Sequence, residues 1–304
     1  MTNPTVLISG ANGYFGGIAS RDFAANGWRV LTATRKPGAD VTIDLDRLED
    51  FAQQTIDTPV DLFVHAAAAH DVTCREQPYR SIWHNIAGTR AALEFCVNNN
   101  IPKFVYLSTF HVFGRPKGTI DETTVPLPLN DYGLTHLQAE EYVQLYRRQG
   151  KIQGLVLRPS NFFGIPADID ACNRWTLTPL GFCREGVELR KIVLRSPGYQ
   201  KRNFISVWDI CGTIRSTVDL LDRVSLLHVP GPDTISIRAL AQLVEKAMKE
   251  RCGESIELVI PDGEPTEAEF NYTSNRIAEF YQPQRRIADF IGEFCEKLYE
   301  RAKG

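Results

Sequence analysis

The chain has 304 residues, 43% of them hydrophobic and 23% charged, with a formal net charge of -3. That length holds one large domain or two intimate ones, and that charge excludes a surface built for non-specific nucleic-acid binding. No apolar run approaches the roughly 18 residues of a membrane span, and "MTNPTVLISG" shows neither a basic flank nor a signal-peptide core, so a cytoplasmic protein is expected.

In chain order, "TVLIS" (5–9) is a short continuous apolar run, the pattern of a strand buried on both faces. A helix is predicted over 13–27, where Phe15, Ile18, Ala19 and Phe23 repeat at helical spacing and Gly27 ends the run. Strands follow at 28–34, 41–45 and 61–68, then a helix at 81–97 and a strand at 103–109. A helix over 132–148 places Tyr132, His136, Ala139, Val143 and Tyr146 on one inward stripe. The series closes with a strand at 154–160. This alternation predicts an α/β protein, a parallel sheet wound by helices on both faces.

After Asn161 the rhythm breaks, and Pro, Gly and Arg become common up to about residue 203. A strand–helix pair returns at 203–221. A strand, a Gly-Pro turn and a helix capped by Ser236 fill 226–248. The expected division is 1–160 as a dinucleotide-binding part and 161–304 as a smaller, mainly substrate-binding part, with segments such as 203–230 returning to the first. The seven cysteines, Cys74, Cys96, Cys172, Cys183, Cys211, Cys252 and Cys295, form no Cys-x-x-Cys pair. They read as scattered reduced thiols, and no metal site is expected.

The loop "SGANGYFGG" carries Gly10, Gly13 and Gly16 between a clear strand and a clear helix. Glycines there let a pyrophosphate approach backbone N–H groups at a helix start. An acid at the end of the second strand would serve the ribose hydroxyls of NAD. Here the strand ends on Thr34, followed by Arg35 and Lys36. Cations at that point suit a ribose 2′-phosphate, so NADP is the expected cofactor, with NAD as the alternative. Asp44 can contact adenine or cap the helix that begins near Arg47.

The ordered segments "SGANGYFGG", "VHAAA", "NIAGTRAALEFC", "KFVYLSTFHVFG", "YGLTH", "LRPSNFFG", "RNFISVWDI" and "LLHVPGPDTISIRALAQL" span nearly the whole chain. On these segments it resembles the extended short-chain dehydrogenase/reductase family, and within it the nucleotide-sugar epimerase/dehydratase/reductase group. The resemblance implies a doubly wound, seven-stranded parallel (Rossmann) sheet with a smaller mixed α/β C-terminal substrate domain. It also implies a homodimer built on the helices near 81–97 and 132–148. Asn12, Tyr14, Phe15, Ala66, Ala67, Ala68 and Pro159 within the matched segments, and Leu45 beside Asp44, are the further expected cofactor positions.

In that family a Ser or Thr at a strand end works with the Tyr of Tyr-x-x-x-Lys. The match puts the hydroxyl on Thr109, with Ser108 beside it, and the phenol on Tyr132. A phenol can give a proton to a carbonyl oxygen that gains hydride, while the hydroxyl orients the same oxygen. The family Lys holds the nicotinamide ribose and lowers the Tyr pKa. Here His136 stands in its place. An imidazole can still bond a ribose hydroxyl, but it carries full charge only below about pH 6.5. Phenolate-dependent oxidation suffers more from this than phenol-dependent reduction.

Phe110 and His111 occupy the place of the acidic pair that family dehydratases carry, so 4,6-dehydration is not expected. Asn161 and Arg202 match positions that meet a nucleoside diphosphate, and Arg suits phosphate. A second family Arg, due shortly before "NYTSNRI", is missing from "PDGEPTEAEF" (261–270). His70, Thr73, His111 and Trp175 are further candidates to face the substrate. The expected activity is an NADP-dependent reduction of a keto group on a nucleotide-activated deoxysugar. The alternatives are a nucleotide-sugar epimerase, a dinucleotide-sensing protein without turnover, and a reductase of a non-nucleotide ketone or aldehyde.

Overall fold

In the computed structural model, which describes residues 3–264 and 269–303, the first apolar run becomes β1 (Thr5–Ser9), buried at every position. There follow α1 (Tyr14–Ala25), β2 (Arg29–Thr34), β3 (Val41–Thr42), α2 (Leu48–Ala52) and β4 (Leu62–His65). Next come α3 (Asp71–Glu76), α4 (Pro78–Ser81), a π-helical turn (Ile82–Ala87) and α5 (Gly88–Asn98). Then β5 (Lys103–Leu107), β6 (Gly118–Ile120), α6 (Asp131–Arg148) and β7 (Gln153–Pro159) complete the first half. The second half runs β8 (Asn161–Phe163), α7 (Thr178–Leu189), β9 (Lys191–Val193), β10 (Lys201–Ser206), α8 (Val207–Thr217) and β11 (Leu226–Val229). It ends with β12 (Asp233–Ser236), α9 (Ile237–Cys252), β13 (Glu257–Val259), β14 (Phe270–Tyr272) and α10 (Ile287–Lys303).

Seven strands form one sheet in the order β11-β7-β5-β4-β1-β2-β3, and every neighbouring pair is parallel. This is the doubly wound sheet that the alternation predicted. Side chains on a strand alternate between faces, and β1 divides accordingly. Val6 and Ile8 pack with Ile18 and Phe23 of α1 and with Ile210 and Ile214 of α8. Leu7 packs on the other face with Phe51, Phe63, Phe95, Ala139 and Val143, under α2, α5 and α6. The strand order reverses direction between β1 and β4, and such a switch point opens a crevice beyond the carboxyl ends of the strands.

The C-terminal elements build a separate core. Leu180 and Val187 of α7, Leu240 and Val244 of α9, and Phe290 and Ile291 of α10 pack together. Burying each such side chain contributes about 1.5–3 kcal/mol. A three-stranded sheet, β12-β10-β8, runs beside this core, with two-stranded pairs β13-β9 and β14-β6.

Several predicted elements are redrawn. The helix expected over 81–97 is continuous from Pro78 to Asn98 but widens into the π-helical turn, where Asn85 is buried with its side chain fully used. Its Oδ1 accepts from the Ala69 amide at 2.6 Å, and its Nδ2 donates to Thr135 Oγ1 at 2.9 Å. A residue that must satisfy two distant groups justifies the wider turn. The strand expected over 61–68 stops at His65, since the Ala66 and Ala67 amides turn to Ser9 Oγ at 2.9 and 3.0 Å. The strand expected over 41–45 is reduced to the pair Val41–Thr42. Within 203–230, β11 lies in the main sheet and α8 packs on α1, whereas β10 belongs to the three-stranded sheet. Ser236 caps α9 as expected, accepting from the Ala239 amide at 3.0 Å. Among the described residues no helix is long and apolar enough to cross a membrane, and all seven cysteines are free thiols.

Candidate active site

The glycine loop sits at the switch point, between β1 and α1. Gly10 has φ +68°, a left-handed conformation that only glycine adopts without strain. A side chain on Gly10 would lie 3.3 Å from Ala66 O and Ala67 Cα, and one on Gly16 would run into the Gly10 carbonyl. No side chain caps α1 and no acid stands in its first turn. Its leading amides are therefore open to an anion, and the helix dipole favours one. A dinucleotide pyrophosphate fits this cradle. The side chains of Tyr14 and Phe15, expected at the cofactor, point elsewhere. Tyr14 donates to Gly164 O at 2.7 Å, and Phe15 is buried in the core against Phe162. Both offer the ligand only their backbone.

At the end of β2, Thr34 Oγ1 accepts from Asn12 Nδ2 and from the Lys36 amide, each at 3.1 Å. This ties the glycine loop to the basic turn. Arg35 and Lys36 are exposed, and neither side chain pairs with a carboxylate among the described residues. Asp44 Oδ1 accepts from the Asp46 amide at 3.0 Å, and the N-cap of α2 is Arg47. The capping role expected for Asp44 is thus a turn one step ahead of the helix. Leu45 packs against the core beside Gly88. Ala66, Ala67 and Ala68 leave β4 half-exposed, and Pro159 closes β7 at the same sheet edge.

Helix α6 brings Tyr132 and His136 to this edge. Asn130 caps it, accepting from the Gly133 amide at 2.8 Å. Tyr132 stands in its first turn and lines a cavity of about 1010 Å³ together with Thr109, His111, Asn161 and Arg202. Burial pushes the Tyr132 phenol above its ordinary pKa, while Arg174 and then the Thr109 side chain pull it back. His136 lies one turn deeper, 3% exposed, with its ring 4.7 Å from the Tyr132 ring. Burial lowers its pKa to about 3. The expectation of a partly charged, titrating His136 is therefore corrected: it is neutral at any ordinary pH. Its Nδ1 lies 2.7 Å from the Tyr106 hydroxyl. With Tyr106 donating there, the ring proton sits on Nε2, which has no partner among the described residues. An orphaned buried donor one turn below Tyr132 is what a cofactor ribose hydroxyl would satisfy.

Ser108 is not at the reacting centre. It is buried and donates to Glu140, whose carboxylate also takes both arms of Arg158 at 3.0 and 2.6 Å. Adjacent strand-end residues face opposite ways, so Thr109 alone reaches the cavity.

Two further expectations are overturned. His70 and Thr73 are not on the cavity wall. His70 caps α3, its ring 3.4 Å from the Thr73 amide and hydroxyl. Their neighbours Asp71, Cys74 and Arg75 form the wall instead. His111 does line the cavity, its ring 5.6 Å from Tyr132. The protein around it thins out water and lowers its pKa, and the Arg202 charge lowers it further. Trp175 lines the cavity and stacks on Phe294. Asn161 donates to Asn203 O at 3.1 Å, and Arg202 to Lys201 O at 2.8 Å. Of the segment 261–270, where a second Arg is missing, residues 265–268 lie outside the described residues. Sequence reasoning missed three cavity cations, Arg75, Arg174 and Arg195. The only signal for the last two was the Arg-rich irregular stretch after Asn161.

A glycine cradle at the switch point, with a phenol and a hydroxyl converging above it, defines a dinucleotide-dependent enzyme of the short-chain dehydrogenase/reductase type. Residues 6–221 match the model of the NAD dependent epimerase/dehydratase family, and the chain belongs to that family. It is an NAD(P)-dependent enzyme. It is 27% identical over 305 residues to a dTDP-6-deoxy-L-talose 4-dehydrogenase (NAD(P)(+)) of Kitasatospora kifunensis, covering 95% of this chain and 93% of that one. It is 24% identical over 255 residues to an uncharacterized UDP-glucose epimerase, YtcB, of Bacillus subtilis, covering 79% and 76%. Among solved structures, RMD from Pseudomonas aeruginosa complexed with NADPH shares the fold with a TM-score of 0.81 at 18% identity, covering 99% of each chain. MoeE5 in complex with UDP-glucose and NAD does so at 0.78 and 20% identity, covering 99% of this chain and 100% of that one.

The buried histidines make stability depend on pH. Folding lowers His65 and His136 to about 3 and His228 to about 4, each chiefly by burial. The unfolded chain binds these protons near pH 6.5 and the folded chain does not. Their stabilising effect is therefore complete above pH 6.5 and is lost as pH falls below it, by about 1.4 kcal/mol per pH unit for each fully titrating histidine. Urea unfolding at pH 7 and pH 5 should show a clear loss at the lower pH. A flat profile over that window would contradict the neutral buried rings.

Proposed function

We propose that the enzyme reduces a keto group on a nucleotide-activated sugar, using NADP. The observation that carries this reading is the state of the reacting pair: Tyr132 is held as a neutral phenol, and the ring of His136 beside it is neutral as well. A neutral phenol is the acid that ketone reduction needs, whereas oxidation needs phenolate. A reduced nicotinamide bound along the glycine cradle supplies hydride. Tyr132 gives the proton to the carbonyl oxygen, Thr109 bonds and orients that oxygen, and His136 Nε2 donates to a ribose hydroxyl. The unpaired Arg35 and Lys36 at the end of β2 support NADP over NAD.

The substrate reading rests on Arg174, Arg195 and Arg202 in one cavity, a donor set suited to two phosphates. Residues 1–160 serve the dinucleotide and 161–304 mainly the substrate, with α8 and β11 returned to the first part. A nucleotide-sugar epimerase is the second reading, supported by the epimerase among the relatives. It requires Tyr132 to act as base and acid in turn. The exposed Ile82, Trp83 and Val97 near α5, with Leu134 and Leu145 on α6, support a homodimer packed through these helices.

Three measurements test these readings. Tyr132→Phe should lower kcat by about 10²- to 10⁴-fold and leave cofactor binding nearly unchanged; native turnover in that variant ends the catalytic assignment. Arg35→Ala should weaken NADP by about 10- to 100-fold through one lost charge-assisted bond and leave NAD nearly unaffected. Equal losses for both cofactors would favour the NAD-recycling epimerase. Light scattering at micromolar concentration should give twice the 34.2 kDa chain mass, and a monomer would remove the dimer proposal.

A further inference from the structure

A folded protein leaves few buried polar atoms without a hydrogen bond, and each exception needs a reason. Among the described residues four side-chain atoms are such exceptions: Nε2 of His65, His136 and His228, and Oγ of Ser160. The three histidines stand outside the walls of the large cavity. Ser160 alone of the four lines it, together with Tyr132 and Thr109.

The backbone fixes where that hydroxyl stands. The Ser108 amide donates to Leu157 O at 2.8 Å, and the Ser160 amide donates to Val229 O at 3.2 Å. Ser160 thus follows directly on the end of β7, which lies between β11 and β5, the strand that leads to Thr109. Neighbouring strands stand about 4.8 Å apart, so Ser160 and Thr109 come to the cavity from adjacent strand ends. The residues after Ser160 are already engaged. Asn161 donates to Asn203 O, and Phe162 packs on Tyr14 and Phe15. The Ser160 hydroxyl, able to donate and to accept, does neither. The residue is 5% exposed. A serine side chain turns among three staggered positions, so a ligand in the cavity can engage the hydroxyl without moving the backbone.

We propose that Ser160 is a specificity-determining residue whose hydroxyl bonds a sugar hydroxyl beside the carbon that Tyr132 and Thr109 serve. A sugar hydroxyl both donates and accepts, as the serine does. A keto sugar with its carbonyl oxygen on Tyr132 and Thr109 carries such groups on the adjoining carbons. The cavity that Ser160 lines also holds Arg174, Arg195 and Arg202, the donor set for the diphosphate, whereas the glycine loop and His136 do not line it. The partner is therefore assigned to the sugar and not to the nicotinamide. The proposal rests on the nucleotide-sugar reading above.

Titration calorimetry on the full chain saturated with NADP tests it. UDP-glucose is compared with UDP, dTDP-glucose with dTDP, and GDP-mannose with GDP. The ratio of dissociation constants within each pair reads the sugar alone. Ser160→Ala should shift that ratio by about 3- to 10-fold against the sugar form, through one lost hydrogen bond. Binding of the free nucleotides and of NADP should stay at the native level. Ser160→Cys, of similar size and a much weaker donor, gives the same reading if the Ala variant does not fold. An unchanged ratio overturns the proposal. So does an equal loss for a nucleotide sugar and its free nucleotide, or a loss confined to NADP, which would make Ser160 a cofactor contact. If the native protein binds none of the three nucleotide sugars, the nucleotide-sugar reading itself fails, and the proposal falls with it.

Discussion

The site depends on a buried ion pair beneath it. Glu140 projects from α6 into the sheet edge, where Arg158 of β7 meets it with both arms and Ser108 at the end of β5 donates to it. Both charged side chains are 5% exposed. Removing two charges from water is costly, and only a bidentate, fully bonded geometry recovers that cost. The demand for that geometry sets how α6 lies on β5 and β7. It places Tyr132, two turns before Glu140, over Thr109, which follows Ser108. Tyr272 of β14 donates to Arg158 O at 2.6 Å, so the C-terminal part is tied to the same point. Breaking one partner of such a pair typically destabilises by about 3–5 kcal/mol, enough to dissolve the alignment above it.

A second constraint follows from depth. The groups below the reacting centre, His65, Tyr106 and His136, are buried, and burial drives each toward its uncharged form. The groups beneath the cavity are therefore neutral hydrogen-bonding groups, and the cations stand at the cavity wall and on the exposed turn after β2.

Much of the fold was legible because its signals are local. The apolar run 5–9, the three glycines after it and the Ser236 cap each state a backbone requirement within a few residues. The helix α10 was not among the expected elements, which ended at 248, although Ile287, Phe290, Ile291, Phe294 and Leu298 recur at helical spacing. The choice between Ser108 and Thr109 was not legible, since it is made by Glu140 and Arg158, far along the chain. The charge on His136 was hidden for the same reason: residue type gives its intrinsic pKa, and only packing gives the burial that lowers it. Arg174 lay in a stretch without periodicity, where no pattern says which arginine turns inward.

The basic turn after β2 bears on how such an enzyme changes over time. Arg35 and Lys36 are exposed and unpaired, and the bonds that shape the turn come from Thr34 and Asn12. Surface substitutions of that kind usually alter stability by no more than about 0.5 kcal/mol. The two positions can therefore change with little effect on folding, and the core that packs beneath Tyr132 and Thr109 is left untouched by such changes.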